Sequence, residues 1–255
     1  MEHISMHMLF FLLGAGFIAS FIDSVVGGGG LISTPALLIT GLPSSVVLGT
    51  NKLASTMSSL TSTLSFMRSG KITFRLVLKL FPLSLIGSAL GAYTVKQIPP
   101  EFLKPLVIIL LVIVTIYTLT KKDWGKQSTY KGLTTKVAYL TALAALTLGF
   151  YDGFFGPGTG SFLLFAFLMI GFDFVSAAGN AKVLNFGSNI AGLATFMALG
   201  CVNYTYGILM GLAMVLGALV GSRVAIQKGS TYVRPLFIFV TALLIGKQLW
   251  DIFFK

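Results

Sequence analysis

Four ionisable side chains sit inside otherwise apolar stretches: Asp23, Lys52, Asp152 and Lys182. Each acid lies beside a glycine cluster. Asp23 is followed by Gly27, Gly28, Gly29 and Gly30, and Asp152 by Gly156, Gly158, Thr159 and Gly160. Each lysine comes in the next apolar stretch. Charges and helix-breaking glycines are expensive in hydrocarbon, so in a membrane protein this combination marks a functional site. Successive free N–H groups in a glycine-rich turn form a concavity for anions. A helix that starts there adds positive dipole. With two lysines for charge and the hydroxyls of Ser33, Thr159 and Ser161 as donors, the set suits a small oxyanion. Two plainer roles stay open for the glycines, a simple hinge or a close crossing of helices.

The lysines can be placed by length. Lys52 lies about nine residues beyond Pro43, or ~13 Å along a helix, near the middle of a ~30 Å hydrocarbon core. Snorkelling to the interface is difficult from that depth. Lys52 and Lys182 therefore either face a site or form structural ion pairs with Asp23 and Asp152. The two acids have two possible roles of their own. They can balance charge and gate, or they can titrate and couple a substrate to protons, since burial raises a carboxylate's pKa. Polar stripes run beside the lysines: Asn51, Ser55, Ser58 and Ser62 in one stretch, Asn185, Ser188 and Asn189 in the other. Residues three and four apart share a helical face. Asn51, Asn180, Asn185 and Asn189 are candidates to orient substrate oxygens, whereas helix–helix contact accounts for some of the serines.

The elements that must hold these residues are membrane helices. Hydrophobic residues make up 55% of the chain and charged residues 10%, far below the roughly 25% charge of soluble domains. Gly200–Ser222 contains no charge, and apolar runs reach the ~20 residues that a span needs. The net charge of +11 does not indicate nucleic acid, because the basic residues lie in short connections between apolar runs. Cys201 has no partner for a disulfide or a metal site, and no cofactor is expected.

The chain reads twice. Gly41, Gly49, Lys52, Ser58, Gly70, Gly87, Gly91 and Gln97 recur at an offset of 130 as Gly171, Gly179, Lys182, Ser188, Gly200, Gly217, Gly221 and Gln227. The acid blocks align at 129. Such self-similarity signals duplication. Residues 1–120 form the first repeat, 121–136 a polar linker and 137–255 the second repeat. Each half holds about four apolar segments, giving an all-α protein of about eight transmembrane helices. The first segment of each half is cut by glycines into a helix, an unwound hinge and a second short helix, the form that marks binding sites in transporters. If that segment crosses once, both halves point the same way. A re-entrant hairpin would change both the count and the symmetry axis, and the sequence leaves this open. The single-crossing arrangement puts Arg68, Lys71, Arg75, Lys121, Lys122, Lys126, Lys131, Lys136 and Lys255 on one side and Lys96, Lys104, Lys228 and Arg234 on the other. That predicts a multi-pass protein of the prokaryotic cell membrane with both termini cytoplasmic.

Four motifs carry a resemblance that covers nearly the whole chain: Phe21–Ser24 with its glycines, Thr50–Leu53, Phe150–Pro157 and Ser188–Ile190. With them the chain resembles the sulfite exporter TauE/SafE family, within the toluenesulfonate uptake permease superfamily, and most of all its YfcA-like branch. The resemblance implies a multi-pass transporter of sulfite, organosulfonates or related anions. The resulting expectation is a gradient-driven secondary transporter in the lipid bilayer, with a small anionic substrate and a proton or sodium ion as coupling partner. An uncoupled anion channel is the alternative. An enzyme is not expected, because the only histidines, His3 and His7, lie near the N-terminus and no nucleophile–base pair is visible.

Overall fold

The computed structural model describes residues 5–95, 104–120 and 124–253. His3, Lys96, Gln97, Lys121, Lys122 and Lys255 lie outside the described residues. The described chain is all helical: α1 (Met6–Val26), α2 (Gly30–Leu38), α3 (Ser44–Arg68), α4 (Phe74–Thr94), α5 (Lys104–Thr120), α6 (Thr135–Phe154), α7 (Thr159–Met169), α8 (Phe174–Ala198), α9 (Tyr204–Lys228) and α10 (Ser230–Phe253). Side-chain caps start several of them. Asp173 accepts from the N–H groups of Val175 and Ser176 at 3.0 Å, and Asn203 accepts from that of Tyr206 at 3.1 Å. These bonds satisfy donors that a helix start leaves open.

Four helices, α1, α4, α6 and α9, are long and apolar enough to cross a membrane. Their outward faces are greasy. Leu78, Ile86 and Leu90 on α4 and Ile208, Leu212, Leu216 and Val220 on α9 are exposed at four-residue spacing, as lipid-facing stripes require. The long helices α3 and α8 sit inside these and carry the polar stripes, which is why composition alone does not mark them as spans. Part of each stripe is helix contact. Ser58 Oγ meets Ser20 Oγ at 2.6 Å, and Ser62 Oγ meets Ser24 Oγ at 2.7 Å.

The glycine-broken segments do not run straight through. Gly27 and Gly28, at φ 79° and 88°, turn the chain back, so that a Cβ on Gly29 would lie 2.5 Å from the Ala19 carbonyl oxygen. Further along, Thr141, Ala144 and Ala145 of α6 face Leu163, Ala166 and Phe167 of α7 across one small apolar gap. A helix continuing past its hinge would carry Phe167 far from Thr141. Each broken segment is therefore a helical hairpin, and its short arm returns to the end from which the long arm started. In the first half, Leu37 near the end of α2 joins the same apolar cluster as Leu12 near the start of α1.

This corrects the parallel arrangement of the two halves. A hairpin followed by three longer helices reverses the direction of the second half. Gly49, near the start of α3, packs on the Cys201 carbonyl just past the end of α8. Gly179, near the start of α8, lies with its Cβ position 2.6 Å from the Lys71 carbonyl oxygen, just past the end of α3. The helices α3 and α8 are thus antiparallel. The division of loop charges changes as well. Lys71 and Lys126 share a cavity of about 340 Å³ with Gly229 and Ser230, and Arg234 donates to the Thr118 carbonyl at 3.1 Å. Lys228 and Arg234 therefore belong to the same end as Lys71, not to the opposite one.

Candidate functional site

Two hairpin turns meet at the core of the molecule. A Cβ on Gly27 would collide with the backbone of Gly160 and Ser161, and a Cβ on Gly160 would lie 2.9 Å from the Gly27 Cα. Ser161 Oγ donates to the Val26 carbonyl at 3.1 Å, tying the start of α7 to the end of α1. Tyr151 donates its hydroxyl to the Pro157 carbonyl and braces the second turn. Only glycine lets two backbones come this close, and the positive φ of Gly156 and Gly158, 94° and 92°, is the conformation that glycine tolerates.

Each acid sits one turn before its hairpin bend, and each pairs with the lysine of the other half. Lys52 Nζ of α3 lies 2.8 Å from Asp152 Oδ2 of α6. Lys182 Nζ of α8 bonds Asp23 Oδ2 of α1. The first pair belongs to a network. Lys52 also donates to Asn189 Oδ1 at 3.1 Å, and Ser188 Oγ donates to Asp152 Oδ2 at 2.5 Å. In the second pair, Asp23 Oδ1 accepts the Gly29 N–H at 3.1 Å. The lysines thus form ion pairs, the alternative that residue types alone left open, and the pairs cross between the halves.

Between the pairs lies a cavity of about 30 Å³, room for a water or two. Gly28, Gly29 and Gly30 line it from the first turn, and Gly158, Thr159 and Gly160 from the second. From α3 come Asn51 and Lys52, from α8 Asn185 and Asn189, and both Asp23 and Asp152 reach it. The Asn51 Oδ1 atom is buried without a partner in the protein, an unmet polar group that a ligand in the cavity would satisfy.

Three of the expected site residues lie off the cavity. Gly27 is spent on the crossing with Gly160. Asn180 is turned away, its Oδ1 accepting the Thr73 N–H at 2.8 Å. Lys182 stands behind Asp23 and does not line the cavity. Gly156 of the second glycine cluster lines the cavity as well, and the structure adds Ser55 and Met214 to the lining and Ser188 as a hydrogen-bond partner of Asp152. The serines were visible in the polar stripes, whereas Met214 is an apolar residue in an apolar run and gave no signal.

The model of the family described as sulfite exporter TauE/SafE matches residues 12–247. The chain belongs to this family. It is 40% identical over 252 residues to a probable membrane transporter protein, ORF9, of Sinorhizobium sp., covering 98% of this chain and 96% of the relative. A probable membrane transporter protein of Haemophilus influenzae is 36% identical over 251 residues, covering 97% of each chain. The probable membrane transporter protein YfcA of Escherichia coli is 35% identical over 245 residues, covering 96% of this chain and 89% of the relative. No solved structure matches the chain. The TauE/SafE assignment makes this chain a membrane transporter rather than an enzyme.

Proposed function

We propose that the chain is a gradient-driven secondary transporter of a small anion, sulfite or an organosulfonate, that works by alternating access. The observation that carries this reading is the polar cavity between the two crossed ion pairs, enclosed by hairpin turns from opposite directions. Backbone N–H groups of the two turns, the Lys52 ammonium and the Asn185 and Asn189 amides form its binding set. Asn51, with its unmet carbonyl oxygen, holds a protonated oxygen or a water of the anion. The cavity is too small for an organosulfonate as it stands, so one hairpin must move to admit it. Each hairpin reaches the cavity from its own end, which gives each end a door.

The two halves, 1–120 and 137–255, act as repeats related by an axis in the membrane plane. Exchanged contacts support this. The Asn203 N–H bonds Thr50 Oγ1 at 2.9 Å where the Thr73 N–H bonds Asn180. Such inverted repeats rock about a fixed midplane site. Six long helices cross, and two hairpins enter from opposite faces. The end that carries Arg68, Lys71, Arg75, Lys126, Lys131, Lys136, Lys228 and Arg234 is the cytoplasmic face of a bacterial inner membrane. The start of α1 and the end of α10 lie at the opposite end, so both termini are external, reversing the earlier expectation.

Two experiments test the reading. Purified protein in liposomes, given gradients of sulfite, sulfate, sulfoacetate and methanesulfonate, should move at least one of them, and Lys52→Ala should abolish that flux. Unchanged flux in Lys52→Ala removes the site. For orientation, a Cys201→Ser background carrying Ser44→Cys should react with a membrane-impermeant maleimide in intact cells. Ser128→Cys should react only after permeabilisation, and the opposite pattern reverses the assignment.

A further inference from the structure

We propose that Asp23 carries one proton with each monovalent anion, and that this proton uncovers Lys182 for the anion. The inference rests on the anion-transport reading of the cavity and concerns its coupling.

The charged side chains at the site are Lys52 from α3, Lys182 from α8, Asp23 from α1 and Asp152 from α6. The other elements around the cavity contribute neutral groups: Gly30 from α2, Thr159 from α7 and Met214 from α9, and none from α10. The site is therefore formally neutral. A bare monovalent anion entering it would leave one uncompensated charge in a low-dielectric interior, which costs several kilocalories. Neutralising one carboxylate restores the balance.

Geometry selects the carboxylate. Asp152 is only 3% exposed and its Oδ2 serves both Lys52 and Ser188. Lys52 already fronts the cavity, so protonating Asp152 would uncover nothing. The Asp23 side chain is 16% exposed, lines the cavity, and stands between it and Lys182, itself only 3% exposed. Asp23 also has an anchor that survives protonation. Its Oδ1 accepts the Gly29 N–H, and that bond holds for a neutral carboxyl as for a carboxylate.

The step balances simply. A hydronium ion gives up a proton, so that one of its O–H bonds breaks as an O–H bond forms at Asp23 Oδ2, and no other covalent bond of the protein changes. Lys182 remains an ammonium. Its N–H, released from Oδ2, donates to an oxygen of the anion. On the opposite side the anion leaves, Asp23 returns its proton to water and re-forms the pair with Lys182. Proton and anion travel in the same direction.

The test uses full-length protein in phosphatidylethanolamine–phosphatidylglycerol vesicles loaded with a pH-sensitive dye. Methanesulfonate is the main probe, because a sulfonate brings no proton of its own near neutral pH; sulfoacetate and sulfite are run beside it. Wild type should move one proton with each methanesulfonate, and an imposed gradient of one pH unit should accumulate that anion about tenfold. Asp23→Asn should lose proton movement, and the accumulation ratio of any anion it carries should fall to about one. Asp23→Glu, which keeps an ionisable group should the amide variant not fold, should retain coupling with a shifted pH profile. Anion flux without protons in wild type overturns the proposal, as does intact coupling in Asp23→Asn or an unshifted profile in Asp23→Glu. Absence of flux for every probe is a different result, which removes the transport reading and this inference with it.

Discussion

The two ion pairs are built from the same residue types at corresponding positions of the two halves, yet their surroundings differ. Around Lys52–Asp152, α8 supplies Ser188 to the acid and Asn189 to the lysine. Around Lys182–Asp23, α3 supplies neither. The counterpart of Ser188 is Ser58, which is drawn to Ser20 instead. The counterpart of Asn189 is Ser59, which bonds its own helix at the Ser55 carbonyl, 2.7 Å away. The counterpart of Ser20 is Gly149, with no hydroxyl to divert Ser188. A few substitutions thus leave one pair with more partners than the other.

The largest expected effect tests whether the two turns occupy different amounts of space. Gly27 is pressed onto Gly160 and Ser161, whereas the nearest atom to a Cβ on its counterpart Gly156 is 3.2 Å away. Both have positive φ. Gly27→Ala should therefore lose more than about 4 kcal/mol and give little folded protein. Gly156→Ala meets a tight contact with the Asp152 carbonyl but no collision, and should lose roughly 1–2 kcal/mol, mostly the conformational cost. Recovery and melting in detergent measure both, and equal losses would mean that the hairpins do not cross at Gly27.

Next comes removal of each lysine. Lys52→Met leaves Asp152 charged and buried, which costs about 3–5 kcal/mol. Lys182→Met leaves Asp23 with the Gly29 N–H and access to the cavity, so about 1–2 kcal/mol is expected. Adding Asp152→Leu to Lys52→Met should restore most of the lost stability, because the uncompensated charge is gone. A Lys182→Met protein as damaged as Lys52→Met would make the two pairs equivalent after all.

Much of this arrangement was legible in the sequence, and the unread parts have physical reasons. Helices α4 and α9 lie where apolar length puts them, and both breaks fall at the glycine clusters. The direction taken after a break was not legible. A straight hinge and a hairpin both need glycines, and composition does not say which way the next helix points. That one ambiguity placed Lys228 and Arg234 at the end opposite Lys71, where the structure does not have them. Within the site, the cluster of Asp23, Lys52, Asp152, Asn185 and Asn189 followed from the cost of polar groups in hydrocarbon. The choice of Asp152 rather than Asp23 as the partner of Lys52 did not, because it depends on α3 and α8 lying antiparallel. The displacement of Lys182 from the cavity was equally hidden, since its residue type and spacing match those of Lys52.

The smallest effect sharpens the comparison at a single hydroxyl. Ser188 and Ser58 are counterparts, each buried, each donating or accepting one short bond. Ser188 bonds a carboxylate, and hydrogen bonds to charged groups contribute about 1.5–3 kcal/mol. Ser58 bonds a neutral hydroxyl, so about 1 kcal/mol is expected. Ser188→Ala should thus destabilise more than Ser58→Ala, although both remove the same atom from corresponding places. Equal melting losses in Ser188→Ala and Ser58→Ala would show that this hydroxyl does not fix the difference between the pairs, and would leave the greater burial of Asp152 as its cause.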